Sequence, residues 1–186
     1  MKALIFNGTF ERRPDAISHQ IANFFLAALK KKDVSIEIFN LADAGIPIFD
    51  VEKREVPDAV VAMNKAFRDA DVHIWLTPLY HGSMTGAMKN CLDWIELSAK
   101  EPVPYLTNKV VAMVCWADGG QAMQGINAMD SVAKALRAWT LPYCIPAVRR
   151  LLRDESTGEF TEDYQHKFNL MTQLLTGEKI PQYSFE

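Results

Sequence analysis

Hydrophobic and polar positions along the chain switch repeatedly between a period of two or less and a period near 3.6. Residues 2–6 carry the unbroken apolar run Ala3-Leu4-Ile5-Phe6, the pattern of a short buried strand. Ile17, Ile21, Phe25, Ala28 and Leu29 then follow a helical spacing, and Lys30, Lys31 and Lys32 suit the negative end of that helix. Val34, Ile36 and Ile38 alternate with Ser35 and Glu37, which predicts a half-exposed strand. From Leu41 to Pro57 the pattern is irregular and punctuated by Gly45 and Pro47. Asp58 is placed as the cap of a helix running to about Ala70. Residues 72–77 form a third strand stopped by Pro78, and Thr85 to about Ala99 a helix. Residues 109–116 form a fourth strand, and Ile126, Met129, Ala133 and Leu136 mark the next helix. Pro142 to Val148 reads as a weak fifth strand. Tyr164, Phe168, Met171 and Leu175 define the last helix.

Five alternations of strand and helix predict an α/β fold, a doubly wound sheet with parallel strands. The first and fourth strands are almost wholly apolar and suit the interior of the sheet. The second alternates and the fifth contains Pro146, so both suit edges. These assignments match a flavodoxin-like strand order of 2-1-3-4-5. The expectation is one domain over residues 1–186, without internal repeat or low-complexity segment.

Composition narrows the function classes. Hydrophobic residues make up 49% and charged residues 23%, ordinary for a globular domain, and the net charge of −3 is too close to balance to predict a nucleic-acid or anionic-membrane surface. No apolar run is long enough to span a bilayer, and the first residues enter a strand pattern without signal-peptide anatomy. A cytoplasmic setting is expected. Cys91, Cys115 and Cys144 are far apart and predict buried free thiols rather than a dithiol or metal motif, and His19, His73, His81 and His166 lack metal-ligand spacing.

In such a sheet ligands bind beyond the carboxyl ends of the strands. Three loops at that end have unusual compositions. The first, Asn7 to Ser18, offers Gly8 for a tight strand exit, the hydroxyls of Thr9 and Ser18, the cations Arg12 and Arg13, and a helix N-terminus. These suit a phosphate; they equally suit a helix start capped by Asp15 with solvated arginines. The loop contains neither G-x-G-x-x-G nor a P-loop. The second, Thr77 to Asn90, has Gly82 and Gly86 for close backbone approach, with Tyr80 and His81 as ring-bearing neighbours. It suits a flat aromatic ligand, or simply a turn before a well-capped helix. The third, Trp116 to Gly125, places Gly119 and Gly120 just after a buried strand, with Trp116 either walling a pocket or closing the core.

Residues 77–95 carry a resemblance. Pro78, Tyr80, His81, Ser83, Gly86, Lys89, Asn90, Asp93 and Trp94 fall in register with the motif Pro-x-Tyr-(Asn/His)-x-Ser-x-x-Gly-x-x-Lys-Asn-x-x-Asp-Trp. The segment thereby resembles the NADPH-dependent FMN reductase family, which includes flavin, quinone, azo-dye and chromate reductases on a flavodoxin-like fold. Asn7-Gly8-Thr9, Ile46-Pro47-Ile48-Phe49 and Asp118-Gly119-Gly120 resemble further landmarks of that family. Glu11 stands where the family often has an arginine, with Arg12 or Arg13 as its replacement and Ser18 for a later hydroxyl. Asp118 stands where Ser or Thr is common.

The resemblance implies a non-covalent FMN. Its phosphate would lie at Gly8, Thr9, Arg12 and Ser18, and its ring between Pro78, Leu79, Tyr80, His81 and Gly82 on one side and Asp118, Gly119 and Gly120 on the other. It implies NADPH or NADH as donor, a small-molecule electron acceptor, a ping-pong cycle and no catalytic side chain, because the flavin carries the chemistry. The alternative is a non-enzymatic flavodoxin-type electron carrier or FMN-binding module. Met88, Leu92, Ile95 and Ala99 form one stripe of the helix after the second loop, whereas Trp94 and Leu97 lie on a second face. That face is expected to meet another subunit, giving a homodimer or homotetramer, or else to pack under the segment containing Pro102 and Pro104.

Overall fold

The computed structural model describes residues 1–52 and 55–177. Its sheet is parallel throughout and is built from β1 (Lys2–Asn7), β2 (Ser35–Asn40), β3 (Val72–Pro78), β4 (Val110–Ala117), β5 (Trp139–Thr140) and β6 (Ile145–Val148). The order is β2-β1-β3-β4, with β5 and β6 both paired to the outer side of β4. This is the 2-1-3-4-5 order expected from the chemistry of the strands, with the fifth position filled by two short pieces. The pieces are separated at Leu141–Cys144, where Pro142 supplies no N–H. Pro146 is solvent-facing on the edge piece while Ile145 and Ala147 are buried.

Alternation along the central strands sorts the core into two layers. Leu4, Phe6, Trp75, Met113 and Cys115 point to one face, covered by α3 (Asp58–Asp69), α4 (Gly86–Asp93) and α5 (Ala122–Ala135). Ala3, Ile5, Ile74, Leu76, Ala112 and Val114 point to the other, covered by α1 (Ile17–Lys30) and α6 (Glu162–Leu175). The α6 stripe Tyr164, Phe168, Met171 and Leu175 is buried as its spacing predicted. The registers Asn7↔Leu76, Pro78↔Trp116 and Ala117↔Val148 bring the exits of β1, β3, β4 and β6 to one end of the sheet.

Four local expectations are corrected. A one-turn helix, α2 (Leu41–Ala44), interrupts the irregular stretch and ends at Gly45 with φ of 63°. Asp58 is the first residue of α3 rather than its cap, which is Pro57. The helix predicted to run to Ala99 ends at Asp93 and continues as 3-10 turns over Trp94–Ser98. Trp94 does not face outward: it is 1% exposed, its ring meets Phe49 edge-on at 5.1 Å, and its Nε1–H donates to the Pro47 carbonyl at 2.9 Å. The Pro47–Phe49 segment covers it. Leu97 alone of that pair is exposed.

Candidate functional site

The first loop leaves β1 under close constraint. The Gly8 N–H donates to Leu76 at 2.9 Å, and a Cβ on Gly8 would lie 2.6 Å from Met88 Sδ, so α4 can approach only a glycine here. Thr9 is buried, and its Oγ1 accepts the Glu11 N–H at 3.3 Å. The Glu11 carboxylate accepts from the fully buried Ser18 hydroxyl at 3.0 Å, and the Glu11 carbonyl meets His19 Nε2 at 2.9 Å. Ala16 is the N-cap of α1 and gives no side-chain cap, so the alternative of Asp15 as capping residue is not realised. Arg12 turns away from Ser18: its guanidinium donates to the Ala42 carbonyl and lies 3.8 Å from the Asp43 carboxylate.

The second loop is a tight turn. Tyr80 and Ser83 exchange backbone hydrogen bonds of 3.0 Å, with His81 at φ 49° and Gly82 at φ 81° between them. Positive φ at both central residues is the geometry of a type I′ connection, which explains why a glycine stands at the second. Pro78 closes β3, and the Leu79 N–H ties the loop to the Trp116 carbonyl at 2.8 Å. Tyr80 and His81 are exposed. Thr85 joins the loops. Its Oγ1 caps α4 by accepting from Met88 N–H at 3.0 Å and donates to the Gly8 carbonyl at 2.6 Å.

The third loop follows β4. Trp116 is buried in the layer against α1 and α6, so it closes the core rather than walling a pocket. Asp118 is exposed, and a Cβ on Gly120 would meet open space. Helix α5 begins at Ala122, so Gly125, expected in the loop, is helical; a Cβ there would lie 2.4 Å from Cys115 Sγ. From the turn after β6, Arg149 reaches across the mouth to Asp118 at 3.7 Å and to Glu11 at 4.0 Å.

The run of residues 89–94 after the second loop builds a wall. Asn90 accepts from the Phe49 N–H at 2.7 Å and donates to the Pro47 carbonyl at 2.8 Å, the same carbonyl that receives Trp94. Beside this clamp lies a cavity of about 300 Å³ lined by Phe10, Arg12, Leu41, Ile46, Ile48 and Ala87. Lys89 and Asp93 form an exposed i,i+4 ion pair of 2.5 Å, a contact of little energetic weight.

Gly8, Thr9, Leu79, Tyr80, His81, Gly82, Asp118, Gly119 and Gly120 therefore occupy three loops joined at one sheet end, with Pro78 closing β3 and Ser18 in the first turn of α1, while Arg12 is engaged with α2. The sequence reading started the helix at Thr85 but missed its bond to the Gly8 carbonyl, Arg149 and the placement of Glu11. The Arg149-Arg150 pair directly after the fifth strand was the available signal, because that strand ends at the same edge as the other loops.

A parallel 2-1-3-4-5 sheet with Gly-bearing loops gathered at its carboxyl end defines a flavodoxin-like protein. The NADPH-dependent FMN reductase family matches residues 1–150, and the chain belongs to that family. An NADPH azoreductase from a Bacillus species is 32% identical over 139 residues, 73% of this chain and 68% of that protein. The NADPH-dependent FMN reductase ArsH of Rhizobium meliloti is 28% identical over 106 residues, 53% of this chain and 44% of its own length. Among solved structures, an FMN-dependent NADH-azoreductase from Bacillus anthracis in complex with FMN superimposes with a TM-score of 0.70 at 16% identity, covering 95% of this chain and 98% of the other. The flavoenzyme FerB from Paracoccus denitrificans gives 0.68 at 15% identity over 94% and 96% of the two chains. FMN is the family's cofactor and the chain is an oxidoreductase of that family.

Proposed function

We propose that this chain is an FMN-dependent NAD(P)H oxidoreductase that passes electrons to a quinone, flavin, azo compound or similar small acceptor in a ping-pong cycle. The observation that carries the reading is the joining of the three loops at one sheet end. Gly8 bonds to Leu76, Thr85 to Gly8 and Leu79 to Trp116, so the loops form one rigid rim. The ring end of this rim fits a flavin: Gly120 is open, Gly82 carries no side chain at its positive φ, and Asp118 points outward. The hydroxyls of Thr9 and Ser18 and the N-terminus of α1 suit a phosphate in kind, although the Glu11 carboxylate already engages Ser18.

Bound FMN supplies the redox chemistry, accepting hydride from NADPH or NADH and delivering electrons to the acceptor. The chain's part is to hold and orient it. Backbone N–H groups of the second and third loops suit the stabilisation of negative charge at the ring's polar edge, a role that needs fixed donors rather than a titrating side chain. No catalytic side chain is assigned. Assembly as a homodimer or homotetramer and a cytoplasmic setting belong to the same reading. The free state of Cys91, Cys115 and Cys144 suits the latter, with burial pushing the Cys91 and Cys115 thiols up to about 12.

Initial-rate kinetics with FMN-loaded protein test the cycle. Varying NADPH at several fixed concentrations of a quinone is expected to give parallel double-reciprocal lines. Intersecting lines contradict the ping-pong assignment. Bound flavin that NADPH does not reduce favours the electron-carrier alternative.

A further inference from the structure

The first loop holds a carboxylate where an incoming anion would be received. Glu11 is pinned from both sides of its backbone, its N–H on Thr9 Oγ1 at 3.3 Å and its carbonyl beside His19 Nε2 at 2.9 Å. Its carboxylate then accepts the hydroxyl of Ser18, the second residue of α1, which has no exposed surface. Helix α1 has neither a side-chain cap nor an acidic residue in its first turn. The Glu11 carboxylate reaches the first turn of α1 through the Ser18 hydroxyl, a place where the positive dipole end of the helix favours a negative charge. Arg149, from the far side of the mouth, lies 4.0 Å from Glu11 and 3.7 Å from Asp118, while Arg12 is committed to Ala42 and Asp43.

We propose that Glu11 is a specificity-determining residue whose carboxylate acts as a resident surrogate for the flavin phosphate, and that Arg149 is the cation that turns to the phosphate when Glu11 is displaced. The inference rests on the flavin reading above. A carboxylate and a phosphate dianion both accept hydrogen bonds from the same donors, and their charges repel, so Ser18 serves one or the other. The phosphorylated flavin must expel Glu11 before its phosphate is held. Riboflavin leaves Glu11 in place and forgoes nothing. The chain therefore discriminates weakly between FMN and riboflavin, where an unfilled phosphate loop would discriminate strongly. Arg149 pairs with two carboxylates at long range, both partners partly exposed, and loses little by exchanging one of them for phosphate.

Dissociation constants for FMN and riboflavin, measured by quenching of flavin fluorescence, test this on the parent, Glu11→Ala, Glu11→Gln and the double variant Glu11→Ala with Arg149→Ala. Glu11→Ala is expected to tighten FMN about tenfold or more and to leave riboflavin within about twofold, a differential of the size of one charged hydrogen-bonding group. Glu11→Gln keeps an acceptor for Ser18 without the charge and is expected to fall between parent and Glu11→Ala. It also covers the case in which the alanine loosens the loop. Adding Arg149→Ala should weaken FMN about fivefold or more relative to Glu11→Ala, with riboflavin unchanged. An unchanged FMN-to-riboflavin ratio in both Glu11 variants, or FMN binding weakened by them, overturns the surrogate role while leaving the flavin reading standing. Binding of FMN but not of riboflavin to the parent overturns the surrogate role alone, and failure of both flavins to bind parent and variants overturns both readings.

Discussion

At the scale of single residues, the second loop separates backbone from side chain. His81 and Gly82 both sit at positive φ, at 49° and 81°, and a Cβ on Gly82 would lie 3.1 Å from Gln124 Oε1. The Gln124 side chain is long enough to yield, so the penalty of a substitution at Gly82 is chiefly conformational. A β-branched residue in this region costs on the order of 1–2 kcal/mol. Gly82→Val is therefore expected to lose retained flavin on dialysis while its far-ultraviolet dichroism remains native; Gly82→Asn, which tolerates this conformation, should keep more of it. His81→Gly relieves rather than imposes strain and should retain both flavin and its rate of reduction by NADPH. Loss of reduction with flavin still bound would make His81 a catalytic residue. A second residue-scale consequence lies in the core. His73 is fully buried in β3, and burial, aided by the Lys109 charge, pushes its pKa down to about 3. Its folded value is below its unfolded value near 6.5, so the unfolded state binds the extra proton first. The contribution is complete above about pH 6.5 and is lost as pH falls toward 3. Between pH 6.5 and 5 the loss is about 2 kcal/mol. Urea midpoints at those two pH values, compared for the parent and His73→Phe, check it. The variant's midpoint should fall less with acid, and an equal fall in both would refute the assignment.

At the scale of elements, Asn90 and Trp94 act as one clamp. Both donate to the Pro47 carbonyl, and Asn90 also receives the Phe49 N–H, so the segment before α3 is fixed to α4 and the turns that follow it. Asn90→Ala leaves the Phe49 N–H without its acceptor and the Pro47 carbonyl with Trp94 alone, and should cost roughly 1–3 kcal/mol in denaturant unfolding. Trp94→Phe keeps the ring against Phe49 but removes one donor, and should cost less. A larger loss for Trp94→Phe than for Asn90→Ala would contradict the assignment of the hydrogen bonds. This clamp also marks the limit of local pattern reading. The helical spacing correctly placed Met88, Leu92 and Ile95 in the core, but it could not reveal that Pro47–Phe49 returns to cover Trp94, because that pairing joins segments distant in sequence. The change from α-helix to 3-10 turns at Trp94 escaped for a related reason: both geometries bury residues three or four apart. The central strands were legible because β1, β3 and β4 are covered on both faces and so are nearly continuous in apolar residues. The fifth position was legible only as an edge, since Pro142 and the short pieces β5 and β6 obscure any period.

At the scale of the whole molecule, parallel pairing and strand order follow from strand chemistry and place four exits at one end of the sheet. The loops bearing Gly8, Gly82 and Gly120 could be read as a site because glycine requirements are local. The arrangement of Glu11, Ser18 and Arg149 could not, because ion pairing across the mouth depends on the completed fold. Burial of Trp94 leaves Leu97 as the exposed apolar residue of that segment, so assembly no longer has a tryptophan to anchor it. Sedimentation of the parent at micromolar concentration is nevertheless expected to give a dimer or tetramer, and a monomer would contradict the proposed assembly. The proposal that the gathered loops serve an FMN oxidoreductase meets its most direct test in an anaerobic titration of FMN-loaded protein with NADPH, followed by flavin absorbance. The account predicts that the bound flavin bleaches with about one NADPH per flavin, the stoichiometry of one hydride transfer, and that its colour returns on adding a quinone. Bound flavin that keeps its colour through excess NADPH and NADH would contradict it.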